Sequence, residues 1–303
     1  MSKNICITGV SGFLGRCVAE ECLRRGYNPT GVDQNKSSIK GLNFVRADIR
    51  DKERMTKVMK GQDYVVHLAA VTSNLEFIKN PAHCYDINAN GFLTVIETAA
   101  RGGCKRFIYA SSAAVYLDGF SEETVIDFRK LDNHYAKTKI MNEMAATSYA
   151  NIYKMKTTGL RYFNVYGSGE NHKGDYASII TLLLNAKNNA QPLVIYGNGT
   201  QARDLIHVVD AARITLDLLE NGSHDVYNVG TGVATAYVVI ADLIDRHNVT
   251  YIPNPLSSYQ HYTRADTARL RGVVGDYKFI DVETGLKSLS SSSAVTGLRS
   301  TTP

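Results

Sequence analysis

Asn4–Thr8 is a short apolar run without polar alternation, suited to a strand buried on both faces. A glycine-rich turn follows, then a helical pattern to about Arg25 in which Phe13, Leu14, Val18 and Leu23 can share a face. Strand-like runs recur in the segment ending Gly31-Val32-Asp33, at Asn43–Ala47, at Tyr64–His67 and at Arg106–Ala110. Between them the spacing predicts helices over Asp51–Met59 and Pro81–Arg101, the second with a proline in its first turn. Strands alternating with helices imply an α/β fold: a doubly wound, mostly parallel sheet with right-handed crossovers.

After about residue 167 the rhythm loosens. A helix is predicted over Tyr176–Asn188, then strand-like Leu193–Tyr196, a turn at Gly197-Asn198-Gly199, a strand over Asp204–Val209 and a helix from Asp210. A strand and turn over Val226–Gly232 lead into another helix. This predicts a sheet domain over 1–167 and a smaller C-terminal substrate-binding lobe over 168–287, with later elements interleaved into the sheet. Segment 288–303 is Ser/Thr-rich with little apolar content, and reads as a disordered tail or a cloning scar.

Composition narrows the class. A hydrophobic fraction of 44% and a charged fraction of 21% suit a globular chain with a substantial core. Apolar stretches such as Ile179–Ile180 and Leu182–Leu184 around Thr181 fall far short of a membrane span. Lys plus Arg is 34 against 29 Asp plus Glu, a net +5 without a basic block, so neither nucleic acid nor a membrane surface is indicated. Cys6, Cys17, Cys22, Cys84 and Cys104 form no Cys-x-x-Cys pair and have no histidine at zinc-ligand spacing. Reduced thiols and no metal are expected. The first residues offer no signal-peptide apolar region, which makes a cytoplasmic location the expectation.

Gly9, Gly12 and Gly15 form Gly-x-x-Gly-x-x-Gly between the first strand and the first helix, with Phe13 and Leu14 inside the motif. Glycine permits a tight turn and close approach of a pyrophosphate, while the helix N-terminus supplies N–H donors. About twenty residues on, Asp33 ends the second strand, where a carboxylate accepts hydrogen bonds from the adenosine ribose hydroxyls. Three glycines alone would be weak evidence, and Asp33 alone could be a turn residue. The strand–turn–helix setting favours a Rossmann-type dinucleotide site. The acidic group repels a 2′-phosphate and so favours NAD over NADP, a preference that nearby Lys36 and Arg46 soften.

Tyr135 and Lys139 stand four apart, one turn along the same helix face. A phenol with a pKa of about 10 is a poor base at neutral pH. Lowering it by about 3 needs on the order of 4 kcal/mol, which two nearby cations in a dry site can supply: Lys139 and an oxidised nicotinamide ring. With 18 tyrosines, Tyr-x-x-x-Lys also arises by chance. Ser111-Ser112 at a strand end changes those odds, because a hydroxyl there can orient the substrate hydroxyl that the tyrosine deprotonates.

With these features the chain resembles the extended short-chain dehydrogenase/reductases of the nucleotide-sugar epimerase/dehydratase family, from residue 3 to about 287. The likeness also rests on Ala47-Asp48-Ile49, His67-Leu68-Ala69-Ala70, Asn88–Gly91, Tyr109–Tyr116, Arg161–Gly167, Tyr196–Asp210 and Asn228–Gly232. It implies Tyr135 as acid/base, Lys139 on the nicotinamide ribose, and Ser112 sharing the reacting hydroxyl, with Ser111 beside the cofactor. Asp48 and Ile49 would flank the adenine, and Leu68, Ala69 and Ala70 would lie along the cofactor. Asn88 would be structural or cofactor-proximal, and Tyr162 would follow the nicotinamide. Asn164 would meet the sugar or its diphosphate. Arg203 and Arg264 would clamp the diphosphate, and Asp266 would sit near the nucleotide ribose; Arg264, in a shorter motif, also reads as a surface cation.

Ala114 and Leu117 depart from the family pattern, and the stretch after Ser112 lacks the Asp-Glu pair that dehydratases use, which favours epimerisation. The resemblance implies an NAD-dependent UDP-hexose 4-epimerase of the UDP-glucose/galactose type, acting through a transient 4-keto sugar. Two alternatives stand beside it. His172-Lys173-Gly174 resembles a stretch of ADP-glyceromannoheptose 6-epimerases in which the lysine is a second acid/base, although the segment also reads as a polar loop. A non-catalytic NAD-binding scaffold is the alternative of another class. Helices around Pro81–Arg101 and Asn133–Lys154 would form a homodimer interface.

Overall fold

The computed structural model describes residues 2–117, 120–170, 173–174, 177–254 and 260–296. His172, Tyr176, Tyr259 and residues 297–303, on which sequence expectations fall, lie outside them. In chain order the first elements are β1 (Asn4–Thr8), α1 (Phe13–Arg24), β2 (Asn28–Asp33), β3 (Asn43–Arg46), α2 (Lys52–Met59) and β4 (Tyr64–His67). Then come α3 (Asn74–Lys79), α4 (Pro81–Tyr85), a π-helical segment (Asp86–Gly91), α5 (Phe92–Arg101), β5 (Arg106–Ser112), α6 (His134–Tyr153) and β6 (Lys156–Tyr162). They are followed by β7 (Asn164–Tyr166), α7 (Ile179–Asn188), β8 (Leu193–Tyr196), β9 (Ala202–His207), α8 (Val208–Asn221) and β10 (Val226–Val229). The last are β11 (Ala234–Ala236), α9 (Tyr237–Asp245), β12 (Val249–Ile252), α10 (Ala268–Val274) and α11 (Val282–Thr296).

Two compact units share the chain. The first comprises 1–162, 212–229 and 268–275; the second comprises 163–211, 230–267 and 276–303.

The first unit is built on a seven-stranded sheet in the order β10-β6-β5-β4-β1-β2-β3, with every pairing parallel. This is the Rossmann-like arrangement expected from the alternating pattern. From β1 the chain builds outward through β2 and β3, then returns to β4 on the other side. The order therefore reverses between β1 and β4, and in such sheets ligands bind beyond the strand carboxyl ends at the reversal. Thr8, Asp33, His67 and Ser112 are the last residues of β1, β2, β4 and β5. The core on one face packs Phe92, Val95, Ile96 and Ala99 of α5 against Met55 and Met59 of α2 and Phe107 of β5. Each such large side chain contributes about 1.5–3 kcal/mol by leaving water.

The single helix expected over 81–101 is three segments. Asn88, in the π-helical stretch, turns its amide onto the loop after β4: its Oδ1 accepts from Val71 N (2.7 Å) and its Nδ2 donates to Val71 O (2.9 Å). One extra residue in the turn is the usual signature of such a segment. Boundaries also differ: α7 starts at Ile179 because Ser178 caps it, accepting from Thr181 N, the strand expected over Asp204–Val209 is Ala202–His207, the helix expected from Asp210 starts at Val208, and β5 runs on to Ser112.

The second unit holds a three-stranded sheet, β11-β9-β7, and a parallel pair, β12-β8. Its core gathers Tyr166, Ile180, Leu183, Ile195, Leu205, Ile240 and Leu286. The serine-rich segment read as a tail is helical as far as Thr296. Leu286 and Leu289 pack on this core, and Ser288 and Ser290 donate to helix carbonyls at Gly285 and Leu286. Local back-bonding lets serine occupy a helix that packing already holds. Among the described residues, no helix is long and apolar enough to cross a membrane.

Candidate active site

Gly9 leaves β1 with φ +72, and a Cβ there would lie 2.7 Å from Ala69 N. A Cβ on Gly15 would lie 2.1 Å from Gly9 O, so α1 rests its first turn directly on the loop. Gly12 differs: its Cβ would meet only Gly9 O, at 3.2 Å. The fold asks little of this glycine, and its bareness suits an anionic group brought close to the backbone. Phe13 and Leu14, both half-buried, open α1, which has no side-chain cap and no acidic residue in its first turn, leaving its positive end suited to an anion. Asp33 ties this loop to β2, accepting from Ser11 N at Oδ2 (3.0 Å) and Asn35 N at Oδ1 (2.9 Å). A carboxylate has about four acceptor positions, so capacity for ribose hydroxyls is left over.

At the end of β4, Thr8 Oγ1 lies 2.8 Å from His67 Nδ1 and accepts from Leu68 N and Ala69 N, each at 3.3 Å. The hydroxyl therefore donates to the imidazole, and burial, helped by the charge of Lys139, drives the His67 pKa down to about 3. A neutral histidine thus fixes half-buried Leu68, Ala69 and Ala70 against the glycine turn. Asp48 is gripped by Arg50, whose Nη2 donates at 2.6 Å, and this pairing holds its carboxyl below the usual range. Ile49 is a core residue, its Cδ1 2.6 Å from where a Cβ on Gly91 would sit.

Asn133 caps α6, accepting from Ala136 N at 3.2 Å, and so sets Tyr135 in the first turn. Burial pushes the Tyr135 pKa up to about 12, against the opposing effect of the nearby Ser112 hydroxyl. This is opposite to the lowering expected from sequence. Burial dominates here, and one of the two cations in that expectation belongs to the cofactor. Lys139 Nζ donates to Ala110 O at 2.9 Å and lies 5.3 Å from the Tyr135 ring centre. Burial lowers its pKa to about 8, against the opposing pull of Glu143. Tyr135, Lys139 and Ser112 thus come together at the end of β5.

Three expected cofactor residues are turned into internal bonds. Ser111 Oγ donates to Glu143 Oε1 (2.5 Å), Tyr162 OH bonds Thr215 Oγ1 (2.6 Å), and Asn88 also donates to Thr138 Oγ1 (3.2 Å). Sequence reasoning missed the buried network behind them. Arg161 donates from Nε and Nη2 to both oxygens of Glu143 (3.0 and 2.7 Å) and from Nη1 to Tyr116 OH (2.9 Å), which donates to Asn228 Oδ1 (2.7 Å). The available signal was Glu143 standing four residues after Lys139.

Within the second unit, Asn164 Nδ2 donates to Asp204 O (3.2 Å) and Thr263 Oγ1 (3.3 Å). Arg203 is buried, its guanidinium 5.7 Å from the Tyr237 ring centre. Arg264 and Asp266 are exposed on either side of buried Ala265. Asp204, fully buried, accepts from Ala265 N, Thr231 N and Gly232 N, and so joins β9 to both segments. Lys173 pairs with buried Glu170 at 2.9 Å, and Glu170 also receives Ser178 N, Ser178 Oγ and Thr181 Oγ1 at the start of α7.

A parallel sheet with a glycine turn at its reversal, and a tyrosine–lysine–serine cluster at a neighbouring strand end, define a Rossmann-like protein of the short-chain dehydrogenase/reductase kind. The chain belongs to the NAD dependent epimerase/dehydratase family, whose model matches residues 5–230. A Methanocaldococcus jannaschii protein provisionally named UDP-glucose 4-epimerase is 30% identical over 261 residues, covering 82% of this chain and 83% of its own length. The structure of Thermotoga maritima UDP-glucose 4-epimerase with UDP-glucose is similar with a TM-score of 0.87 at 26% identity, over 97% of this chain and 99% of that one. MoeE5 in complex with UDP-glucose and NAD is similar with a TM-score of 0.85 at 25% identity, over 97% and 99% of the two chains.

Proposed function

We propose that this protein is an NAD-dependent UDP-hexose 4-epimerase interconverting sugars of the UDP-glucose/galactose type. The observation that carries the reading is buried Lys139 one turn along α6 from Tyr135, its Nζ 5.3 Å from that ring's centre and bonded to Ala110 O, two residues before Ser112. The likeness to UDP-glucose 4-epimerases over nearly the whole chain supports it. Gly9, Gly12 and Gly15, with Phe13 and Leu14, would hold the pyrophosphate of NAD and Asp33 its adenosine ribose. Asp48, Ile49, Leu68, Ala69 and Ala70 would border it, with Asn88, Ser111 and Tyr162 supporting these walls from within. When bound, NAD supplies an acceptor that takes a hydride from the sugar and gives it back.

Tyr135 takes the proton of the C4 hydroxyl, which Ser112 orients, and later returns it. Lys139 holds the nicotinamide ribose and favours the phenolate. Arg203 and Arg264 anchor the diphosphate, because a guanidinium offers several donors in a fixed fork. Asn164 and Asp266 contact the sugar and nucleotide sides. The transient 4-keto sugar turns over while its diphosphate stays held. The ion pair of Lys173 with Glu170 gives that ammonium a structural partner, which favours C4 chemistry over the 6-epimerase alternative. Exposed Leu93 on α5 and Met141, Met144 and Ile152 on α6 suit the homodimer interface.

Separate incubation with UDP-glucose, UDP-GlcNAc, UDP-glucuronate and ADP-heptose, with the products resolved, tests the reading. Formation of the C4 epimer of a UDP-hexose is expected. Turnover of ADP-heptose alone would replace it with the 6-epimerase, and no turnover at all would favour the scaffold.

A further inference from the structure

We propose that Glu143 is a positioning residue for the reacting pair: clamped by Arg161 and Ser111, it fixes the end of β5 that carries Ser112 and supplies the anion that two buried cations, Arg161 and Lys139, share. The inference rests on the assignment of Tyr135, Lys139 and Ser112 as the reacting set.

Tyr135, Lys139 and Glu143 stand on successive turns of α6. Two of them hold neighbouring β5 residues next to Ser112: Lys139 Nζ reaches Ala110 O, and Glu143 receives Ser111 Oγ. Ser111 and Arg161 are direct partners across β5 and β6, so the bidentate Arg161–Glu143 pair closes the clamp over two adjacent strands. The Arg161 and Glu143 side chains are only 7% and 12% exposed. Lys139 is buried as well. It is faced by Tyr135 and Glu143 from α6, by neutral His67 from β4 and, through Glu143, by Arg161 from β6.

Two cations here answer to one carboxylate. Arginine does not give up its proton in proteins. Loss of the carboxylate charge therefore falls on Lys139, whose proton is already loosened by burial. A neutral Lys139 could no longer favour a phenolate at Tyr135.

Selective ¹³C labelling of lysine Cε, with the Lys139 signal assigned by its absence from Lys139→Arg, reads this titration without substrate or cofactor. The native protein is expected to titrate near 8. Glu143→Gln is expected to lower that midpoint by more than about one unit. Glu143→Gln/Arg161→Met, which removes the stranded guanidinium as well, is expected to return it towards the native value, and Glu143→Asp to keep it there. In the UDP-hexose assay the high-pH fall of kcat should move with the NMR midpoint while KM changes less.

A purely structural role would lower the melting temperature of Glu143→Gln yet leave the Lys139 midpoint and the pH profile in place, and that result would overturn the proposal. So would a double variant titrating as low as the single one. If Glu143→Gln does not fold, Arg161→Met, which leaves the carboxylate to Lys139 alone, decides: a raised Lys139 midpoint supports the charge balance, and an unmoved one refutes it. If no sugar nucleotide is turned over, the functional reading fails while the NMR titration still decides the role of Glu143.

Discussion

Burial takes Lys139 from 10.5 down to about 8, a cost of about 3 kcal/mol at roughly 1.4 kcal/mol per pKa unit. Folding thus keeps a strained cation beside Tyr135. Between pH 8 and 10.5 the unfolded chain binds the Lys139 proton and the folded chain does not, so this group makes stability rise with pH across that window. Urea unfolding of the native protein against Lys139→Met should show that difference, which should be absent below pH 7. Turnover should have the opposite slope: the proposed mechanism uses the charged ammonium, so kcat should fall as pH rises through about 8. Tyr135→Phe should keep the fold, by circular dichroism and melting, and lose at least ~10² in turnover, the loss expected when a positioned acid/base is removed. The spacing of Tyr135 and Lys139 was legible in the sequence. The upward pKa of Tyr135 was not, because four-residue spacing says which groups are neighbours and nothing about how dry their surroundings are.

The glycine turn is the element most fully written in the sequence, since each glycine answers to a local backbone demand. The structure separates those demands. Gly15→Ala drives a methyl into the Gly9 carbonyl at 2.1 Å and should cost about 1–3 kcal/mol in urea unfolding together with NAD affinity. Gly12→Ala meets one carbonyl at 3.2 Å, so isothermal titration with NAD should register it more strongly than the unfolding midpoint does. The π-helical segment was invisible, because the apolar spacing of 81–101 suits one helix and the deviation comes from Asn88 bonding to Val71 and Thr138. Asn88→Ala strands Val71 N and should destabilise the protein by about 1–3 kcal/mol. The serine-rich C-terminal helix was misread for a related reason: composition registers few apolar residues, and only the fold shows that Leu286 and Leu289 face a core.

For the whole molecule, the strand–helix alternation disclosed a parallel sheet, and the motifs placed its reversal point. Interleaving of later elements was expected from the sequence, but not that they are 212–229 and 268–275, because that depends on contacts between distant segments. On the proposed reading, the preference for NAD over NADP rests on the end of β2. The Asp33 carboxylate would repel a 2′-phosphate brought to this strand end, whereas Arg46 already donates its Nε to Gln34 O. NAD should therefore bind more tightly than NADP by titration calorimetry, and Asp33→Asn should narrow the gap. Sedimentation velocity should give a dimer that Met144→Glu/Ile152→Glu weakens. The central claim is that one hydride leaves C4 and returns to the same carbon. Incubation with UDP-glucose deuterated at C4, followed by NMR of the product, tests it most directly. The expected result is UDP-galactose with the deuterium retained at C4; loss of the label to solvent, or no C4 epimer, would contradict it.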